Sequence, residues 1–228
     1  MGRALRIDVG GYAYHVLNRG NGQMTLFAVG DDFAAFEAVL EEAAAKFPTV
    51  RVVAYCLMPN HWHMVLWPTH DGDLSRFVGW VTLTHTQRWH AYRRTTGSGH
   101  VYQGRYRSFI VETQRYLATV CRYTERNAMR AGLVDRAEAW RWSSLWRWRY
   151  GDAASKALLS PWPTPSGRRP AQWLRLVNQP LTQPELEVIR TASQRGRPFG
   201  SEAWQARVTR QFGLDSCFQP RGRPKKGS

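Results

Sequence analysis

The sequence predicts an α+β fold: a mostly antiparallel sheet with helices packed on it, followed by a small, helical, basic C-terminal extension. Three observations predict it. Short apolar or alternating segments recur at 12–18, 50–58, 61–67 and 102–112. Stretches at 31–47, 73–95 and 113–129 carry apolar residues at helical spacing. A run rich in proline, glycine and serine, SPWPTPSGRRP at 160–170, then separates this pattern from the remainder. The order β-α-β-β-α-β-α implies antiparallel pairing with the helices on one side of the sheet. The expected division is a catalytic-type domain over 1–150, a linker over 151–170, and a basic helical extension over 171–228.

The first strand ends in the turn-prone Arg19-Gly20-Asn21-Gly22, and Pro48 closes the first helix. Pro59-Asn60 joins the next two strands into an antiparallel pair, whose apolar density suggests a central place in the sheet. Asp73 or Ser75 is suited to cap the second helix, and Gly97-Ser98-Gly99 to end it. The fourth strand mixes arginine with aromatics, and the third helix stops before Gly132. The tryptophan-rich stretch 140–150 is expected to pack back onto the domain. Beyond the linker, Thr182-Gln-Pro-Glu185 forms a capping box with Pro184 early in a helix, and Ser201 is suited to cap another through Phe212. The motif RGRP occurs twice, at 195–198 and 221–224.

Composition narrows the partners. The chain has 228 residues, 43% of them hydrophobic, enough to bury a core. Its 32 Lys and Arg against 17 Asp and Glu give a formal charge of +15, which points to a polyanion, nucleic acid first. Three separated cysteines exclude a paired disulfide framework and a CxxC zinc knuckle, and fit a reducing cytoplasm. No stretch has the ~20 apolar residues of a membrane span, and the first ten residues lack the apolar run of a secretory signal.

In His61-Trp62-His63 the period of two sends both imidazoles to one face and Trp62, Met64 and Leu66 to the other, so two histidines are able to grip one metal ion. Strand histidines also serve as plain hydrogen-bonding surface residues. On the third helix Tyr123 and Asn127, four apart, share a face, so a nucleophile and an oxygen ligand could share one site; by themselves they read sooner as a half-buried tyrosine and a last-turn asparagine. Tyr116 is the rival nucleophile, two turns away, but no ligand-type residue follows it one turn on. Arg19, Arg105, Arg107 and Arg115 are candidate phosphate contacts, and Tyr102 or Tyr106 a candidate base-stacking ring, unless these tyrosines pack in the core. The remaining histidines, His15, His70, His85, His90 and His100, show no spacing for a second metal site and read as structural or surface residues. Arg195, Arg197, Arg221 and Arg223 of the RGRP copies suit minor-groove or unselective phosphate binding.

Four stretches in order, YHVLNRG at 14–20, AYCLMPNHWH at 54–63, GRYR at 104–107 and RYTERNAMRAGLV at 122–134, resemble REP-associated tyrosine transposases, of the single-tyrosine HUH superfamily, over roughly residues 1–150. The resemblance implies a ferredoxin-like HUH nuclease fold, with His61, His63 and Asn127 as ligands of Mg²⁺ or Mn²⁺, Tyr123 as nucleophile, and a covalent 5′-phosphotyrosine made on single-stranded or hairpin, REP-like DNA. Ala128 stands where relatives commonly have proline, which leaves the helix ending open. Relatives include monomers and helix-exchanging dimers; the long basic C-terminus favours a monomer. Two other classes compete: a catalytically silent DNA-binding protein, against which the complete residue set argues, and an RNA-binding or RNA-cleaving protein, since an antiparallel sheet with aromatics also suits RNA.

Overall fold

The structure, a computed structural model, describes residues 7–113, 115–164 and 166–219. Among them a four-stranded antiparallel sheet has the order β2-β3-β1-β4, built from β1 (Ala13–Arg19), β2 (Val50–Met58), β3 (His61–Pro68) and β4 (Arg107–Val111). The helices are α1 (Gly30–Lys46), α2 (Asp73–Arg93), α3 (Arg115–Glu125), α4 (Asn127–Arg130), α5 (Ser144–Tyr150), α6 (Ala153–Lys156), α7 (Trp173–Asn178), α8 (Gln183–Arg195) and α9 (Glu202–Phe212).

Helices cover both faces, not one. Trp62, Met64, Leu66, Tyr14 and Val16 point to the side holding α1 and α2, where Phe36, Leu40, Phe77 and Val81 meet them. Val65, Ala13, Phe109 and Val111 point to the other, against Leu117, Val120 and Cys121 of α3, Trp173 of α7 and Ile189 of α8. The second layer is not legible in the sequence because α3 and α8 read as helices but nothing local says which face of the sheet a helix covers, and α7 is too short to carry a period of its own. Being covered on both faces also explains the unbroken apolar run of β2, which is an edge strand and not a central one. A bulge at Val53 lets Val52 face one core and both Val53 and Ala54 the other. The free edge of β2 is taken up by the chain itself: Leu57 N–H donates to Trp142 O at 2.9 Å, and Ser160 N–H to Val52 O at 2.9 Å. At the opposite edge Phe199 pairs with β4, accepting from Glu112 N–H at 2.8 Å and donating to Ile110 O at 2.9 Å.

Several local expectations are corrected. The N-cap of α2 is Gly72, in the left-handed region, and the caps to its first N–H groups come from Asp8, which accepts from Leu74 and Ser75 at 3.1 and 2.8 Å. Strand β4 begins only at Arg107, since Tyr102 makes a single bridge to Gly20 and residues 103–106 turn away. The third helix is broken at Arg126 but carries on to Arg130, with Gly132 at φ 72° following it. Thr182 and Glu185 do form the capping box of α8, whereas Ser201 gives no side-chain cap to α9 and instead donates N–H and Oγ–H to the Glu112 carboxylate at 2.6 and 3.2 Å. The run 160–170 is no free spacer among its described residues: Trp162 is buried with its ring centroid 4.8 Å from that of Trp173. Arg169 ion-pairs with the fully buried Glu125 at 2.7 Å, and Glu125 also accepts from Trp173 Nε1–H at 2.8 Å. The extension shares the cores of the preceding part, through Trp173, Ile189 and Ala192 on one side and Trp204 and Val208 on the other.

Candidate nucleic-acid processing site

The site forms where the β1 and β3 ends carrying His61 and Arg19 meet α3. Antiparallel register sets Arg19 opposite His61 and Leu17 opposite His63, and the pleat turns the two histidines the same way, with ring centroids 5.0 Å apart. Trp62 between them is fully buried in the opposite core, donating its indole N–H to Tyr102 Oη at 3.2 Å, which locks the strand's rotation. Tyr123 comes down from α3 over this face, its ring centroid 5.8 Å from that of His63.

Both histidines are held in the neutral form that a metal ligand needs. Burial, then the charges of Arg19 and Arg130, lowers His61 to about 4. Burial holds His63 well below the ordinary histidine value, with His15 and His61 adding to the effect. Their Nδ1 atoms are engaged: that of His61 lies 2.6 Å from Asn60 Oδ1, which only accepts, so the proton sits on Nδ1 and Nε2 is bare. That of His63 lies 3.0 Å from Nε2 of His15, a completely buried ring that burial lowers to about 3.

Asn127 lies behind this arrangement. It is fully buried and does not line the cavity; its Oδ1 accepts from Arg130, and its Nδ2 has no partner among the described residues. An arginine only donates, so the amide is oriented with oxygen toward Arg130, and Arg130 does reach the cavity.

The cavity has a volume of about 420 Å³ and is lined by His61, His63, Tyr123, Arg19, Arg105, Arg107, Arg130 and Arg190, together with Leu17, Asn18, Gln103, Gly104, Ser193 and Gln194. Five guanidinium groups thus face it, none ion-paired to a carboxylate among the described residues, and no Asp or Glu is in the lining. Such a surface holds anions and repels free cations.

Of the residues singled out in the sequence, His61, His63, Tyr123, Arg19, Arg105 and Arg107 come together here. Arg115 is exposed on the first turn of α3 and does not line the cavity. Tyr116 packs edge-on against Phe199, centroids 5.4 Å apart. Tyr102 and Tyr106 are core residues, bonded to His85 and Ser75, not platforms for a base. Arg195 and Arg197 donate to backbone carbonyls of Gln219 and Cys217 at 2.8 Å each, so these donors tie the chain together and are not held out as hooks. Arg221 and Arg223 lie outside the described residues. Sequence reasoning missed His15, Arg130 and Arg190. His15 was visible, two residues before Leu17 on the same strand face, and Arg130 sits one turn beyond Asn127; nothing local marked Arg190.

Among the described residues no helix is long and apolar enough to cross a membrane. A family model described as IS200-like transposase matches residues 8–127. The fold is similar to that of a REP-associated tyrosine transposase solved bound to a REP hairpin, with a TM-score of 0.53 and 14% identity over 69% of this chain and 88% of that one. A candidate transposase from Deinococcus radiodurans R1 is similar at a TM-score of 0.37 and 16% identity, over 58% of this chain and 91% of that one. No curated protein matches the chain.

Proposed function

The chain belongs to the IS200-like transposase family, whose activity is DNA transposition, and on that premise we propose that it cuts and rejoins single-stranded or hairpin DNA through a covalent tyrosine intermediate. One observation carries the reading: Tyr123, His61 and His63 line one cavity whose remaining charge is entirely arginine. The substrate class by this reading is REP-like palindromic DNA, in line with the hairpin bound by the structurally similar transposase.

Tyr123 Oη attacks the scissile phosphorus. The new P–O bond to tyrosine forms as the bond from phosphorus to the 3′-oxygen breaks, leaving a 5′-phosphotyrosine and a free 3′-OH. The proton lost by the phenol is balanced by the one the 3′-oxygen takes up. Bond energy is kept in the adduct, so rejoining is the reverse transesterification and needs no nucleotide cofactor. Arg19, Arg105 and Arg107 neutralise the phosphates that otherwise repel a nucleophile.

The residues fit a divalent ion. His61 and His63 would supply two neutral imidazole nitrogens, while the Asn127 amide, outside the cavity with its oxygen held by Arg130, would complete the set only after Arg130 releases it. Mixed nitrogen and oxygen donors suit Mn²⁺ or Mg²⁺, which when bound acts as a Lewis acid on a non-bridging phosphate oxygen.

The test is to incubate the protein with labelled hairpin DNA and Mn²⁺ or Mg²⁺, denature, and look for a protein–DNA adduct. Tyr123→Phe is expected to lose the adduct and keep DNA binding, because it removes one hydroxyl and little packing. Wild-type cleavage by that variant defeats the mechanism, and cleavage of RNA alone defeats the DNA reading.

A further inference from the structure

We propose that α8 is a third wall of the DNA site and that Arg190 on it holds a backbone phosphate of the bound strand, an inference that rests on reading the cavity as a DNA site. The rotation of α8 is fixed from below: Ile189 and Ala192 are buried in the same core as Phe109 and Leu117. With those two turned inward, Arg190, Ser193 and Gln194, spaced i, i+3 and i+4, share the side that lines the cavity. Both ends of the helix are pinned. The Thr182–Glu185 box holds the first turn, and just past the last turn Phe199 is bonded into the edge of β4. The wall is therefore preformed and does not need to be ordered by the ligand.

The side chain is matched to a phosphodiester. Arg190 is exposed and forms no ion pair among the described residues, while the arginines around the Trp-rich stretch, such as Arg147 and Arg169, are tied to buried carboxylates. It stands on a separate element from Arg105 and Arg107, so the strand passes between two arginine-bearing walls and not over one. A guanidinium donates a fork of N–H groups that fits two non-bridging oxygens, and the hydroxyl of Ser193 beside it is a neutral donor of the kind that reaches phosphate.

The test measures equilibrium binding of a fluorescein-labelled DNA hairpin with a single-stranded flank, by anisotropy across a salt series. The proteins are wild type, Arg190→Ala, the Arg105→Ala/Arg107→Ala double variant, and Arg207→Ala on α9, which removes the same charge from an exposed position outside the cavity. Arg190→Ala is expected to weaken binding about tenfold and to reduce the salt slope by about 0.7, the value for one single-strand phosphate contact, with Arg207→Ala close to wild type. If Arg190→Ala matches Arg207→Ala while the double variant binds weakly, α8 is not a wall and the DNA cavity stands. If the double variant also binds like wild type, the cavity is not the DNA site and the functional reading falls with the proposal.

Discussion

His15 shows how a side chain behind the proposed metal ligands can set their chemistry. His63 is able to offer Nε2 to an ion only if its proton is on Nδ1, which then donates to Nε2 of His15 3.0 Å away; His15 must in turn carry its own proton on Nδ1, the buried atom left without a partner among the described residues. Replacing the acceptor by a ring of similar size, His15→Phe, should weaken Mn²⁺ binding about 10- to 100-fold while His15→Gln restores part of it. Titration of the folded variants by calorimetry checks this, and wild-type affinity in His15→Phe removes His15 from the role. His85 acts on stability instead. Buried with Phe27, Phe36 and Tyr102, it is lowered by desolvation to about 3, so below the ordinary histidine value near 6.5 the unfolded chain binds a proton that the folded one refuses. Stability should therefore fall as pH drops from about 6.5 toward 3, and His85→Gln should flatten that fall by up to about 1.4 kcal/mol per pH unit in urea unfolding. Equal slopes would show that His85 is not excluded from protonation. The histidine pair was legible because the strand period puts both rings on one face, whereas Tyr123 was singled out by the resemblance and not by helix spacing, which read as well for a packed tyrosine. His15 was legible only through register, which depends on pairing partners the sequence does not name. The lock on Asn127 by Arg130 depends on a rotamer, which sequence spacing does not fix.

Among the elements, α1, β1, β2 and β3 follow their sequence signals within a residue or two, and α8 starts where its capping box places it. The misread elements are those whose partners lie far along the chain. Strand β2 read as central because helices cover both its faces, and 160–170 read as a spacer although Trp162 is buried against Trp173. The join to α9 is similarly non-local. A Cβ at Gly200 would lie 2.5 Å from Trp204 Cε3 and 2.7 Å from Glu112 Cβ, closer than such atoms approach. Gly200→Ala should therefore push α9 from the sheet edge and lower stability by about 1–3 kcal/mol, read as a drop in the denaturant midpoint. An unchanged midpoint would mean that this contact relaxes freely.

For the molecule as a whole, part of the formal charge of +15 faces the cavity: five arginines, none ion-paired to a carboxylate among the described residues, line it with no carboxylate, and the two histidines there are neutral. A divalent ion held by the proposed ligands would meet repulsion from the arginines around them, whereas a phosphate already in place would supply the missing negative charge. DNA and metal should thus tighten each other's binding by the same factor, on the order of 5- to 150-fold. Mn²⁺ affinity of Tyr123→Phe with and without hairpin DNA, corrected for ion bound by DNA alone, measures this; equal affinities would show that the charges are uncoupled. The paired edges of the sheet have a different consequence. With Trp142 and Ser160 bonded to Leu57 and Val52 of β2, and Phe199 to Ile110 and Glu112 at β4, several outer backbone groups of both edge strands have partners within the chain. Copies brought together on one polyanion would then find part of each edge already occupied, so high local concentration should seed strand exchange through the sheet less readily than bare edges would.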